Sequence, residues 1–339
     1  MTVSRVLNKS APVKAETRGR VELAIQKLDY VPNRLAQSVV SRNGARILAL
    51  VMPDIVNPFC TGVARGVEDT AQNNDYVLII CNHDDDPQKE EGYFRSLLSL
   101  KVDGFLLMPS GDKAKRNIAL LADKGCPFVL IDRKPRGYVG DYVAGDNVNG
   151  SAELVRLLLS RGHSRIGFIS GPNQISTARE RLTGYQLGLQ QSCIKFDPEL
   201  VFPGESFESG IAADPALTKF LGLRCVPTAV LACNNTLAIG FLRAVRKRGM
   251  DVPADFALAC FDKIAVMDLI KPTVTAAIQP AYNFGTIATQ LLLEKLRGSP
   301  VEKHREIILR PEIVPGESTE GYQHTALSSE PHRKTKAAS

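Results

Sequence analysis

Six short segments place an Asp, Asn or Arg directly behind a run of small or branched apolar residues: "PDIVNPFC", "LIDRKP", "AGDNVNG", "SGPNQISTARER", "ACNNTLA" and "CFDKIA". Arg presents a forked pair of donors, a carboxylate accepts from two hydroxyls, and a carboxamide does both, so such a set suits a ligand rich in hydroxyl groups. Any one of these residues also reads as a helix N-cap or turn former. Six in one chain are harder to account for that way. Burying so many polar groups is costly unless a ligand satisfies them.

Patterns for catalysis are missing. There is no Gly-rich phosphate loop, no Gly-x-Ser-x-Gly elbow and no His-Glu-x-x-His, and the five histidines (His83, His163, His304, His324, His332) have no ligand-like spacing. Asp84, Asp85 and Asp86 lack the alternating oxygen ligands and Gly of a calcium loop, and Asp86 with Pro87 reads as an N-cap followed by a first helical residue. No enzymatic activity, metal or cofactor is expected.

The polar segments are held by a regular alternation that begins near residue 46. Short runs rich in Val, Ile and Leu ("RILALVMP", "YVLIICN", "VDGFLLM", "PFVLID", "YVAGD", "RIGFISG", "TAVLACN", "FALACFD") alternate with segments of helical period, several ending in Gly125, Gly162 or Gly249. Strands apolar on both faces and joined by crossover helices imply parallel sheets covered on each side, that is, an α/β fold. Open sheets of this kind bind ligands at the carboxyl ends of their strands, where the polar residues fall.

The chain has 339 residues, 44% of them hydrophobic, and carries a formal charge of +6. No apolar run is long enough to span a bilayer, and the basic start does not resemble an export signal. The seven cysteines are scattered and mostly set in apolar strings, which suits buried thiols in a reducing compartment and a cytoplasmic location.

Residues 1–46 hold nine Lys or Arg against three acids, a local balance equal to the charge of the whole chain. Within them Val21, Ala24, Ile25 and Leu28 are spaced for an amphipathic helix that starts near Glu16 and Thr17. Short helices over "TVSRVLN" and "RLAQSVV" flank it. Small basic helices of this kind offer a surface for phosphates.

These residues, "TVSRVLNKSAPVKAETRGRVELAIQKLDYVPNRLAQSV", resemble the DNA-binding head and hinge of the LacI/GalR family of bacterial transcriptional regulators. The resemblance continues through "NPFCTGVARGVEDTA", "VDGFLLMPS", "TARERLTGYQLGL" and "LRPEIVPGES" to about residue 320. It implies a homodimer in which a helix-turn-helix head and a hinge helix hold a pseudo-palindromic operator. A core of two Rossmann-like subdomains with parallel sheets, like a periplasmic binding protein, senses a small sugar or sugar acid.

Carried over by position, Thr2, Ser4 and Arg5 fall in the recognition helix, and Thr17 and Arg18 begin the third helix beside the phosphates. Asn33, Arg34, Ala36 and Val39 fall in a hinge helix that enters the minor groove. Val39 stands where the family's wedge is usually Leu. Met1 falls where the recognition helix is already under way, so either translation starts about 15 to 20 residues upstream, as helix-turn-helix geometry requires, or the chain is a shortened sensor with weakened DNA affinity. The first is the expectation, and the second is the alternative function. A binding protein of the transport type would need an export signal and has no use for the basic head.

In the core the resemblance marks Phe59, Cys60 and Asp146 on one wall, and Arg181, Glu205, Asn234 and Asp262 on the other. Asn235 and Lys263 each replace a common Asp, which predicts a less acidic rim and favours an anionic effector, whereas Glu205, standing where relatives often place an aromatic, argues the other way. The expected division is a partial head over 1–32, hinge and linker over 33–45, a first subdomain over 46–159 and 278–305, a second over 160–277 and 306–320, and a disordered tail over 321–339. "TGVARGVEDTAQ" and "EEGYFRSLLSLK" are the candidate dimer surface, although their apolar stripes also suit packing within the chain. Leu heptads that would build a tetramer are missing.

Overall fold

The computed structural model describes residues 2–7, 12–30, 45–207, 211–264, 271–298 and 304–321. Two helices belong to the basic segment, α1 (Thr2–Leu7) and α2 (Ala15–Lys27). No residue of α2 is buried, and Leu23 and Leu28 are exposed.

The rest forms two α/β lobes. The first is a six-stranded parallel sheet, built from β1 (Ile47–Met52), β2 (Val77–Asn82), β3 (Gly104–Leu107), β4 (Phe128–Ile131), β5 (Tyr142–Gly145) and β11 (Glu306–Leu309), in the order β11-β5-β4-β3-β1-β2. The second repeats the plan with β6 (Ile166–Ile169), β7 (Val201–Phe202), β8 (Ala229–Ala232), β9 (Ala257–Phe261), β10 (Thr275–Ile278) and β12 (Glu312–Val314), in the order β12-β10-β9-β8-β6-β7. Only β12 runs antiparallel to its neighbour. The central strands are buried on both faces, as their unbroken apolar runs require.

Helices cover both sheets: α3 (Pro58–Gln72), α4 (Pro87–Ser99), α5 (Lys115–Asp123), α6 (Asn147–Ser160), α7 (Ser176–Gln191), α8 (Ala213–Leu221), α9 (Asn235–Lys247) and α10 (Ala281–Leu296). The α3–α10 and α6–α7 pairs approach through glycines. A Cβ on Gly66 would stand 2.1 Å from the Tyr282 carbonyl oxygen, and one on Gly184 would stand 2.2 Å from that of Val148. The apolar stripe of α3, including Val63 and Val67, is thus spent inside the chain, where the sequence had offered it equally as a dimer surface. Helix α4 buries Phe94 and Leu97 and leaves Leu100, just beyond its end, exposed.

The chain passes between the lobes after β5, between β10 and α10, and between β11 and β12. Two segment boundaries therefore differ from the sequence expectation. Residues 147–159, expected in the first subdomain, lie on α6, which packs on α7 and the second sheet. Residues 306–309, expected in the second, pair with β5 in the first sheet, because the β11 register Glu306–Leu309 against Tyr142–Gly145 leaves the crossing to Arg310 and Pro311. The expected hinge and nearly all of the tail lie outside the described residues.

Candidate functional site

The carboxyl ends of the two sheets face one another across a cavity of about 530 Å³. From the first lobe come Asp54 after β1, Phe59 and Cys60 from the first turn of α3, Asp84 and Asp85 after β2, and Asp132 and Arg133 after β4. The second lobe supplies Thr177 and Arg181 from α7, Ser206 and Phe207 beyond β7, Asn234 and Thr236 at the start of α9, and Asp262 after β9.

Local chemistry fixes these groups. Asn57 caps α3 by accepting the Phe59 amide (3.0 Å), and Asn234 caps α9 by accepting the Leu237 amide (3.0 Å), which turns each first helical turn toward the cavity. Asp132 and Asp262 occupy equivalent places, each after the fourth strand counted from the β2 or β7 edge of its sheet. Both adopt left-handed backbone, with φ of 62° and 67°, a conformation Asp accepts more readily than most residues. Tyr142 donates its hydroxyl to the Asp132 carbonyl oxygen (2.8 Å) and braces that turn.

On the floor of the second lobe, the Arg181 guanidinium donates to Asp262 Oδ2 (3.2 Å), the Cys233 carbonyl oxygen (2.9 Å) and Asn147 Oδ1 (2.8 Å), and it lies 4.0 Å from the Phe261 ring centroid. Gln279 donates to Asp262 Oδ1 (2.7 Å), and Asn147 donates to Glu180 (2.8 Å). Asn147 sits at the first crossing and Gln279 at the second, so the cavity floor is bonded directly to the segments that join the lobes.

The first lobe is less well compensated. Arg133 contacts Asp85 and lies 3.8 Å from Asp132 Oδ2, while Asp132 Oδ1 is buried with no hydrogen-bond partner. Burial pushes the Asp132 carboxyl up to about 6, against the pull of Arg181 and Arg133. Burial likewise holds the Cys60 thiol far above the ordinary range, which makes it a contact surface and not a nucleophile.

The lobes also touch directly. Asn57 and Asn235 exchange side-chain hydrogen bonds at 3.3 Å, Arg179 reaches Asp112 at 3.2 Å, and the Lys134 amide donates to Ser176 Oγ at 3.1 Å. Arg133 lies over the Phe207 ring, 5.8 Å from its centroid. These contacts describe a cleft with its lips together.

A two-lobed cleft of this kind, wired to its crossovers and preceded by basic helices, matches known proteins along nearly its whole length. Residues 1–33 match the family described as bacterial regulatory proteins, lacI family, and residues 155–319 match the periplasmic binding protein-like domain. Over 304 residues the chain is 32% identical to the HTH-type transcriptional repressor CytR of Escherichia coli (strain K12), spanning 88% of this chain and 87% of that protein. The chain belongs to the lacI family of bacterial regulatory proteins.

Catabolite control protein A of Staphylococcus epidermidis (strain ATCC 12228 / FDA PCI 1200) is 31% identical over 311 residues, or 91% of this chain and 92% of that one. Among solved structures, the transcriptional regulator CelR–cellobiose complex overlays with a TM-score of 0.72 at 28% identity, covering 93% of this chain and 94% of that one. The lac repressor dimer bound to operator and an anti-inducer overlays at 0.81 with 23% identity and 94% coverage of each chain, a likeness of fold.

In this lacI-family chain the structure brings five of the seven expected effector residues together on the cavity: Phe59, Cys60, Arg181, Asn234 and Asp262. It does not place Asp146 there. That carboxylate caps α6, accepting from the Asn149 amide (3.1 Å) and side chain (2.7 Å), and the neighbouring Asn147 is the residue that reaches Arg181. Glu205 is exposed and away from the cavity, and the aromatic on that wall is Phe207, two positions later.

The less acidic rim is also not found. Lys263 points to solvent and Asn235 is buried against Asn57, so neither substitution reaches the lining, which carries five Asp and two Arg. Asp54, Asp132, Arg133 and Phe207 are not singled out by the sequence, although "PDIVNPFC" and "LIDRKP" hold the strand-end signal of the first three, and Asp84 and Asp85 stand out there only as a calcium-loop candidate. Asp86 caps α4 as expected, accepting from the Gln88 amide (2.8 Å).

In the head, Thr2, Ser4 and Arg5 lie on α1 and Thr17 and Arg18 in the first turn of α2; Arg5 and Arg18 are exposed and Thr17 is half-buried. Asn33, Arg34, Ala36 and Val39 lie outside the described residues. Among the described residues no helix is long and apolar enough to cross a membrane, and no His, Cys, Asp or Glu cluster is arranged to hold a metal ion.

Proposed function

We propose that this chain is a cytoplasmic, DNA-binding transcriptional repressor whose grip on a pseudo-palindromic operator is set by a small polyhydroxylated effector held between its lobes. The observation that carries this reading is the continuous bonding from the cavity floor, through Arg181 to Asn147 and through Asp262 to Gln279, into two of the segments that join the lobes. A ligand touching Arg181 and Asp262 from one side and Arg133 and Asp132 from the other binds the closed arrangement better than an open one. That difference in affinity is what shifts a two-state equilibrium.

Phe59, Cys60, Phe207, Asn234 and Thr236 complete the effector's surroundings. Arg5 and Arg18 contact phosphates or bases, with Thr2, Ser4 and Thr17 beside them, and the segment holding Asn33, Arg34, Ala36 and Val39 serves as the hinge. A homodimer presents two such heads to two half-sites. Edge strand β2, with Val77 and Ile80 exposed, offers apolar surface for the second copy. Seven free cysteines suit a reducing compartment.

The test is an electrophoretic mobility shift with a pool of palindromic duplexes, followed by titration of the selected duplex at several salt concentrations with and without sugars. The expected results are a salt-sensitive preference, a sugar that changes it, and a log–log salt slope about one smaller in Arg18→Ala. A chain that shows no salt-sensitive preference for any palindromic duplex is not an operator-binding regulator.

A further inference from the structure

The balance of charge in the cleft says more about the ligand than its shape does. Of the five lining carboxylates, Asp84 is paired with Lys89, Asp85 with Arg133 and Asp262 with Arg181. Both lining guanidinium groups therefore already face carboxylates, and neither is a spare cation for a ligand carboxylate or phosphate. Asp132 shares Arg133 with Asp85, its Oδ2 standing 3.8 Å from that guanidinium, and Asp54 faces no cation among the described residues.

Among the described residues the Asp54 carboxylate accepts from the Val56 amide, at 2.9 Å. The Asp132 side chain lines the cavity, is 9% exposed and keeps Oδ1 buried without a hydrogen-bond partner. Asp54 after β1 and Asp132 after β4 belong to the same sheet and line the cavity together with Cys60, which puts the two carboxylates on one wall. A buried acceptor left unmade is costly, and a charged donor satisfies it best.

We propose that the effector is a polyhydroxylated primary amine of the amino-sugar class, its ammonium group held by Asp132 and Asp54 while Arg181, Asn234 and Asp262 read its hydroxyls. This rests on the cleft being the effector site and names the chemistry of what fills it. An anionic effector, which the Asn235 and Lys263 replacements made more plausible, would meet an excess of carboxylates and, among the lining residues, no cation that does not already face one. A neutral sugar would supply hydroxyl donors but leave that wall with its charge unbalanced.

The experiment is isothermal titration calorimetry at pH 7.5 on the full chain with D-glucosamine, D-galactosamine and 1-amino-1-deoxy-D-glucitol, each against its hydroxyl counterpart and, for the ring sugars, the matching uronate. The amines should bind about tenfold or more tighter than the hydroxyl compounds, the equivalent of one charge-assisted hydrogen bond. Asp132→Asn should erase that preference, each amine and its hydroxyl counterpart then binding within about threefold of one another. Asp54→Asn, at a half-exposed site that tolerates change more readily, should reduce it in the same sense.

If a hydroxyl compound or a uronate binds as tightly as its amine, or if no amine binds, the assignment is overturned. Binding of such a compound that is abolished by Asp262→Asn leaves the cleft as the effector site and removes only the ammonium. If the compounds that bind are indifferent to Asp262→Asn and Asp132→Asn alike, the cleft reading falls as well.

Discussion

Replacing Asp132 by Asn tests directly whether the first lobe buries a carboxylate that its neighbouring cations only partly compensate. Burial raises that carboxyl from its ordinary 3.8 to about 6 in the ligand-free fold. A raised carboxyl pKa means that the folded state holds a proton more tightly than the unfolded chain does. The resulting stability is complete below about 3.8 and is lost as pH rises through about 6. The difference corresponds to a ceiling of about 3 kcal/mol, and little of it is screened because the residue is only 6% exposed.

Asn cannot ionise, so its unpaired amide costs a pH-independent amount, on the order of 1–3 kcal/mol. The quantity to read is therefore the slope and not the absolute stability. The chain has no Trp, so urea unfolding is followed by far-UV circular dichroism between pH 4 and 8. The variant should gain on the wild type by about 2–3 kcal/mol across that range. His163, which burial pushes down to about 4, makes both proteins less stable as pH falls below the ordinary histidine value, and it cancels in the comparison. Curves that stay parallel within about 0.5 kcal/mol would refute the claim that Asp132 is held ionised at a cost.

Arg181→Met leaves Asp262 buried beside Gln279 without its cation, so the second lobe should lose about 3–5 kcal/mol and operator binding should stop responding to the effector; unfolding midpoints and mobility shifts with and without ligand check both. Lys263→Glu should leave effector affinity within about twofold of wild type, because that side chain faces solvent; a larger change in calorimetry would put position 263 back on the rim. Asn57→Asp keeps the acceptor that caps α3 but removes the amide donor facing Asn235. The lost hydrogen bond, about 1 kcal/mol, should open the lobes severalfold more often and enlarge the radius of gyration in solution scattering.

Much of this cleft is visible in the sequence because the rule that locates it is local. Asp54, Asp132, Asn234 and Asp262 each follow an apolar run within two residues, and strand-end polarity survives without knowledge of the partner strand. What failed to show has two causes. Strand β7 has only two residues, and β11 and β12 have four and three, each opening on an exposed Glu, so length does not mark them, and the boundary at 306–309 differs with them. The other errors are slips of one or two positions where helix caps and ligand contacts use the same residue types. Asp146 took the place of Asn147, and Glu205 that of Phe207.

The two equivalent aspartates show how one plan yields two functions. Asp132 and Asp262 share a strand position and a left-handed backbone, so the repeat itself delivers each carboxylate to the cavity. Their neighbours then divide the work. Gln279, from a crossing segment, and Arg181 each donate to one oxygen of Asp262 and tie it to the frame. At Asp132 the backbone is as firmly held, by Tyr142 and by its amide bond to the Val143 carbonyl oxygen (2.8 Å), but the carboxylate is left short of a donor. A ligand that supplies the donor bridges an incomplete lobe to a complete one that is already bonded to the crossovers. The lobes already touch in this structure, so a ligand that satisfies Asp132 adds to contacts such as Asn57 with Asn235 and shifts the balance further toward the closed arrangement.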